Sequence, residues 1–309
     1  MPHMETLSLN SERDGLELPV LTCIPDGEVR AVVQFSHGMC ENKERYAPFM
    51  EFLAAHGFAC AISDHRGHGA QARKRGELGY FGADGANALV DDLHQITNWL
   101  RRRFPGKRIY LFGHSMGSLA ARVYAARFDK ELAGLIVCGS PGWNPAAPFG
   151  RLLARFLGKL KGERKRGKFL KIITFGPFYR AFKHEESKCA WICSDKAVVD
   201  AYDADPLCGF TFTYNGFEAL YSLMIQCYSR REKAGSPSLP IFFISGSEDT
   251  CRGGDKGFAQ AIERMRARGY TRIDSRLYPG MRHEILNEPG RQAVYGDVLA
   301  WLEAREAEA

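Results

Sequence analysis

A serine hydroxyl in water is a poor nucleophile. To attack an acyl carbon it must sit on a sharp turn, beside a base and beside N–H donors for the oxyanion that forms. The stretch Gly113-His114-Ser115-Met116-Gly117 has the composition of such a turn. It follows the apolar run Ile109-Tyr110-Leu111-Phe112 and leads into a helix-like segment, Ser118 to Phe128. Strand, G-x-S-x-G turn and helix in that order make a nucleophile elbow. The two glycines are expected where a Cβ would crowd the close approach to neighbouring strands. Ser115 is the candidate nucleophile.

A base and an orienting acid should follow the serine in the order acid, then histidine. Downstream of Ser115 the chain has two histidines, His184 and His283. His283 sits in Pro279-Gly280-Met281-Arg282-His283-Glu284, just after a strand-like run, where a side chain reaches the carboxyl edge of an open sheet. His184 lies in a segment of different composition and is the weaker candidate. Asp249 ends the run Phe242 to Asp249, a buried-type strand and turn at the same edge, and would hold the tautomer of His283. Glu248 would point differently, and Asp255 and Asp274 read as surface or strand carboxylates. Backbone donors for the oxyanion are expected at Met116, the residue after the nucleophile, and at Met39 in the loop His37-Gly38-Met39-Cys40. A zinc motif H-E-x-x-H is absent at His283, because Asn287 stands where the second histidine would be.

The elements that must position these residues alternate along the chain. Apolar runs at Glu17–Ile24, Ala31–Ser36, Ala59–Asp64, Ile109–Phe112, Gly134–Cys138, Ile241–Ser245 and Arg272–Tyr278 read as strands. Amphipathic segments at Tyr46–His56, Ala86–Arg103, Ser118–Phe128, Gly257–Arg268 and Gln292–Glu303 read as helices. In the second of these, Leu89, Leu93, Ile96 and Leu100 fall on one face. This predicts an α/β protein, a mostly parallel sheet with helices on both faces. The alternation stops near Gly142 and resumes near Pro240. The intervening stretch holds 16 of the 36 aromatic residues, which predicts an inserted helical cap over residues 142–235 on a core of 1–141 and 236–309. It opens with nine basic residues between Arg151 and Lys171 against Glu163 alone, so this block carries more than the chain's net charge of +6.

Hydrophobic content of 45% and charged content of 25% are those of a globular protein with a sizeable core. Residues 1–19 have no apolar core and read as no signal peptide, and no apolar run of about 18 residues is present. Nine scattered cysteines without a CxxC pair suggest free thiols in a reducing compartment. Cys189 and Cys193 lie at helical spacing but have no second pair to complete a metal site. Neither a metal nor another cofactor is expected.

His37-Gly38-Met39, Asp64-His65-Arg66-Gly67-His68-Gly69, the elbow, Ser245-Gly246-Ser247-Glu248-Asp249 and His283-Glu284 occur in the order found in one known group. Together they resemble the monoacylglycerol lipase and lysophospholipase group of α/β-hydrolases, which includes serine aminopeptidase-like members. The resemblance spans about residues 5 to 305 and is weakest in the cap. It implies a triad of Ser115, Asp249 and His283, oxyanion donors at Met39 and Met116, and His65 and His68 as hydrogen-bonded loop residues. The expected reaction is cleavage of carboxylic esters of medium-to-long acyl chains through an acyl-enzyme on Ser115. Cap aromatics, with Phe178, Tyr179, Phe212 and Phe217 as candidates, would line the acyl site.

Two other functions compete with this one. An aminopeptidase or amidase of the same fold would need cap carboxylates such as Glu185, Glu186 or Asp203 for a substrate ammonium. A non-catalytic binding or membrane-interface protein would be expected to lack a triad member, and none is missing. The expected partner is a small lipid ester. In residues 151–171, Leu152, Leu153, Phe156, Leu157 and Leu160 share a helical face with basic flanks, which reads either as a cap helix with its apolar side on the core and a solvated basic face or as a contact with an anionic membrane. No nucleic-acid module accompanies the basic block. The expected location is the cytoplasm, peripheral to the inner membrane face.

Overall fold

The computed structural model describes residues 2–308. Eight strands, β1 His3–Asn10, β2 Glu17–Ile24, β3 Ala31–Ser36, β4 Phe58–Ser63, β5 Ile109–His114, β6 Gly134–Cys138, β7 Ile241–Gly246 and β8 Ile273–Tyr278, form one sheet in the order β1-β2-β4-β3-β5-β6-β7-β8. β1, β2 and β4 pair antiparallel, and every pairing from β4 onward is parallel. The parallel strands β3 to β7 are buried at every position, because helices cover both faces.

The helices are α1 Ala47–Ala55, α2 Gly69–Lys74, α3 Gly85–Arg103, α4 Met116–Phe128, α5 Ala147–Lys161, α6 Lys168–Ala181, α7 Lys196–Ala204, α8 Tyr214–Cys227, α9 Gly254–Arg268 and α10 Arg291–Ala307. One core joins α3, α4 and α9 to the sheet, and Leu89, Leu93, Ile96 and Leu100 are its α3 contribution. A second core packs α1 and α10 on the opposite face through Phe49, Leu53, Val294 and Val298. Two elements were not anticipated, β1 and the one-and-a-half-turn α2. β1 is an edge strand that pairs only with β2 and alternates half-buried with exposed residues, so it has no apolar run.

Helices α5 to α8 occupy the stretch between β6 and β7, where the sequence predicts an insertion. α8 packs on α3 and α4, and α5 packs on α8. The seam between α5 and α8 uses small residues. Ala147, Gly150, Ala154 and Gly158 are the buried face of α5, and a Cβ on Gly150 would lie 2.8 Å from the Tyr221 ring. The large apolar residues of α5 therefore divide. Leu153 and Leu157 pack partly against the core, while Phe149, Leu152, Phe156 and Leu160 are each at least 60% exposed. This corrects the expectation of a single shared face for Leu152, Leu153, Phe156, Leu157 and Leu160.

Candidate active site

The turn after β5 is backbone under strain. Ser115 has φ 52° and ψ −120°, a region an L residue occupies only when its surroundings fix it there. The glycines on either side make that possible. A Cβ on Gly117 would lie 2.0 Å from Ser36 O and 2.4 Å from His37 O, and one on Gly113 2.6 Å from Gly117 O. The elbow is thus pressed against the end of β3, and Ser115 N–H is tied across to Cys138 O at the end of β6 (3.0 Å). Ser115 stands at the N-terminus of α4, at the carboxyl edge of the sheet.

His283 and Asp249 meet at the same edge. His283 Nδ1 lies 3.0 Å from Asp249 Oδ1 and both side chains are buried. A carboxylate only accepts, so Nδ1 carries the proton and Nε2 is left as the basic nitrogen. Burial alone would raise the Asp249 carboxyl. The nearby His283, the Cys251 N–H (2.8 Å) and the Ser245 hydroxyl (2.9 Å) more than offset it, and Asp249 is held below its usual range. The alternatives lie elsewhere: His184, Glu248, Asp255 and Asp274 are all exposed.

The other wall is the loop after β3. Gly38 N–H donates to Glu41 Oε1 and Cys40 N–H donates to His68 Nε2 (3.1 Å), so the donors flanking Met39 are both engaged. Cys40 is left-handed at φ 57°, and this conformation is held by residues of the segment between β6 and β7. Gly209 N–H (3.0 Å) and Tyr202 O–H (2.9 Å) both donate to Cys40 O, and Cys40 Sγ donates to Phe210 O (2.9 Å). Behind the loop, His37, His65 and His68 form a buried cluster. His37 Nε2 accepts from His65 N–H (2.9 Å), and Nδ1 donates to Gly38 O (2.8 Å). His68 Nδ1 donates to Arg66 O (2.9 Å). Burial holds all three imidazoles below their ordinary range, His68 at about 4, so they are neutral structural groups.

A charged network that sequence reasoning did not find lies beside the elbow. His114 Nδ1 is 3.1 Å from Glu41 Oε1, and His114 Nε2 donates to His283 O (3.3 Å). Burial would neutralise both partners. Their mutual contact overrides it, so Glu41 is held below and His114 above its ordinary range, as an ion pair. Glu41 also accepts from Tyr46 O–H (2.9 Å), and Arg45 grips Glu284 through two bonds, of 2.7 and 2.5 Å. No motif marks Glu41 or His114 as a pair. They are 73 residues apart and meet only because β3 and β5 are neighbours.

A cavity of about 330 Å³ opens on these groups, within the range of small-molecule sites. Ser115, His283, Met39 and Met116 are among the residues that line it. Ile173, Phe175, Phe178, Tyr179, Leu220 and Tyr221 form its apolar walls. Of the four aromatic candidates, Phe178 and Tyr179 are in that wall. Phe212 and Phe217 are not: both are fully buried where the helical segment meets the body, Phe212 edge-on to Phe81 and His68 and Phe217 edge-on to Phe212. None of the three cap carboxylates named for an ammonium site lines the cavity. Glu185 pairs with Arg282 (2.5 Å), Glu186 with Lys196 (3.3 Å), and Asp203 accepts from Ser187. Among the described residues Asp249, Cys251 and His283 could together reach a metal ion, but two of the three already form the hydrogen-bonded pair.

A strained serine turn leaving the central parallel strand, with a buried His–Asp pair from later strand ends, is the arrangement of the α/β-hydrolases, and this chain has that fold. A solved carboxyl esterase from Bacillus coagulans, in complex with glycerol, superposes with a TM-score of 0.89 at 27% identity, covering 98% of this chain and 99% of that one. The model of the family described as serine aminopeptidase S33 matches residues 27–290, and the chain belongs to that family. Among its relatives, the monoacylglycerol lipase of Mycolicibacterium smegmatis is 26% identical over 90% of each chain. The human monoglyceride lipase is 24% identical over 92% of this chain and 86% of its own.

Proposed function

We propose that Ser115 is the nucleophile of a carboxylic ester hydrolase that cleaves monoacylglycerol- or lysophospholipid-type esters through an acyl-enzyme. One observation carries this: an apolar cavity ends on Ser115, beside the hydrogen-bonded pair of His283 and Asp249. Ser115 Oγ attacks the ester carbonyl as His283 Nε2 takes its proton. Asp249 stabilises the imidazolium, and the oxyanion settles against the N–H groups of Met39 and Met116. His283 then returns the proton to the leaving alcohol, and water attacks the acyl-enzyme by the same route in reverse. Residues 142–235 act as a cap whose aromatic wall receives the acyl chain. Each CH₂ buried there contributes about 0.8 kcal/mol, so discrimination grows with chain length. The lipase names of the relatives support the substrate class.

Ser115→Ala is expected to lose activity by about 10⁴-fold or more, measured against esters of graded chain length. Activity near that of the parent would end this assignment. Catalytic efficiency that peaked at acetyl and fell through longer chains would end the acyl-chain part alone.

The outward face of α5 and the start of α6 favour contact with a lipid surface. Phe149, Leu152, Phe156, Leu160, Phe169 and Ile172 are 58–68% exposed, amid the basic residues Arg151, Arg155, Lys159 and Lys168. Apolar side chains fringed by cations suit an anionic bilayer, each cation contributing about 1 kcal/mol near the surface. No helix among the described residues is long and apolar enough to cross a membrane. Co-sedimentation with vesicles should rise with anionic lipid content, and binding indifferent to it would remove this contact.

A further inference from the structure

The helical turn Ala190–Ile192 is clamped to the loop that carries His283 from both sides of that residue. Arg282 Nη1 donates to the carbonyls of Ala190 (2.7 Å) and Cys193 (3.1 Å). Glu284 N–H donates to Ile192 O (2.7 Å). Between these clamps the indole of Trp191 lies on the imidazole of His283, with ring centroids 4.8 Å apart and planes at 39°. Phe178 packs on the indole in turn, at 5.1 Å.

The imidazole must become a cation whenever Ser115 gives up its proton. Its surroundings pull both ways. Asp249 favours the cation, whereas the ring of His114, itself charged by Glu41, lies 4.8 Å away and opposes a second positive charge. An indole within about 6 Å of a cation attracts it through the negative face of the ring. We propose that Trp191 is a positioning residue for His283, holding the ring in place and favouring the imidazolium formed in both acylation and deacylation. This deepens the proposed function and rests on it.

The competing role is a wall of the acyl site, since Trp191 also lines the cavity. A wall matters to a long acyl chain, while support of the imidazolium matters to every substrate. The test is steady-state kinetics of Trp191→Leu and Trp191→Phe on p-nitrophenyl acetate and p-nitrophenyl decanoate, with Ser115→Ala as control. Trp191→Leu should lower kcat about three- to tenfold on both esters, the span of a partly desolvated cation–π contact. Its KM for the acetate should stay within about twofold, and Trp191→Phe, which keeps an aromatic face, should retain most of kcat. A raised KM confined to the decanoate, with kcat on the acetate intact, overturns the proposal in favour of a wall. Phe performing as badly as Leu also overturns it, because packing shape rather than the ring's face would then be at work. Should the Leu variant not fold, Trp191→Met, flexible and gap-filling, is read in the same way. Activity surviving in Ser115→Ala would instead sink the proposed function, whereas an inactive Ser115→Ala with a normal Trp191→Leu sinks this inference alone.

Discussion

Replacing Glu41 by glutamine removes charge but little volume from the buried pair beside the elbow. The carboxylate accepts from Gly38 N–H and Tyr46 O–H and faces the His114 imidazolium, with its side chain 4% exposed. Breaking a buried pair costs about 3–5 kcal/mol, and because His114 can shed its proton the lower end applies. Unfolding entropy of about 2.1 cal/mol/K per residue gives about 0.65 kcal/mol/K for 309 residues, so about 3 kcal/mol lowers Tm by about 5 °C. The sign with pH follows from the two shifts. Glu41, held below its ordinary 4.5, contributes stability that is complete above that pH and lost as pH falls through its lowered value. His114, held above its ordinary 6.5, contributes stability that is complete below that pH and lost as pH rises through its raised value. The gap in Tm between the parent and Glu41→Gln should therefore be widest between about pH 4.5 and 6.5 and narrow on either side. Thermal unfolding of both proteins at pH 3.5, 5.5 and 9 measures it. A gap that is constant, or widest at pH 9, would refute the ion pair.

Other perturbations separate structure from chemistry. Asp249→Asn leaves the shape of the pair but inverts its hydrogen bonding, and kcat should fall by about 10³–10⁴-fold while the far-ultraviolet circular dichroism stays unchanged. Gly117→Ala drives a Cβ into Ser36 O and His37 O, both backbone atoms, and should cost more than the roughly 1–3 kcal/mol of ordinary overpacking in chemical denaturation. Leu152→Asp with Phe156→Asp touches only exposed positions, so Tm should hold within a degree or two while co-sedimentation with anionic vesicles drops severalfold.

The central strands were legible because β3 to β7 are continuous apolar runs ending in short motifs, and Ser115 and Asp249 each follow such a run; β8, before His283, is mostly exposed and reads less clearly. What escaped depends on neighbours in space. Periodicity finds which residues of α5 are large and apolar, yet the helix buries its small side, Ala147, Gly150, Ala154 and Gly158, because the Tyr214 and Tyr221 side of α8 leaves no room for more. Phe212 and Phe217 looked like Phe178 and Tyr179 in composition. Only the packing of Phe212 against Phe81, His68 and Phe217 assigns the first pair to a joint, and the lining of the cavity assigns the second to its wall. Glu41 and His114 carry no local signal, and Trp191 is one aromatic among sixteen until its ring is seen on His283.

The two bonds on the Cys40 carbonyl change what exchanging the inserted segment would mean. Gly209 and Tyr202 lie far from the elbow in sequence, yet they hold the left-handed residue next to Met39. A chimera carrying another hydrolase's insertion would receive a different cavity wall and would also forfeit the struts that shape the loop proposed to hold the oxyanion. Under the proposed function, specificity and rate are fastened to the same stretch of chain. New cavity preferences are better sought by point changes at Ile173 and Phe178, which line the cavity and make neither of the bonds to the Cys40 carbonyl.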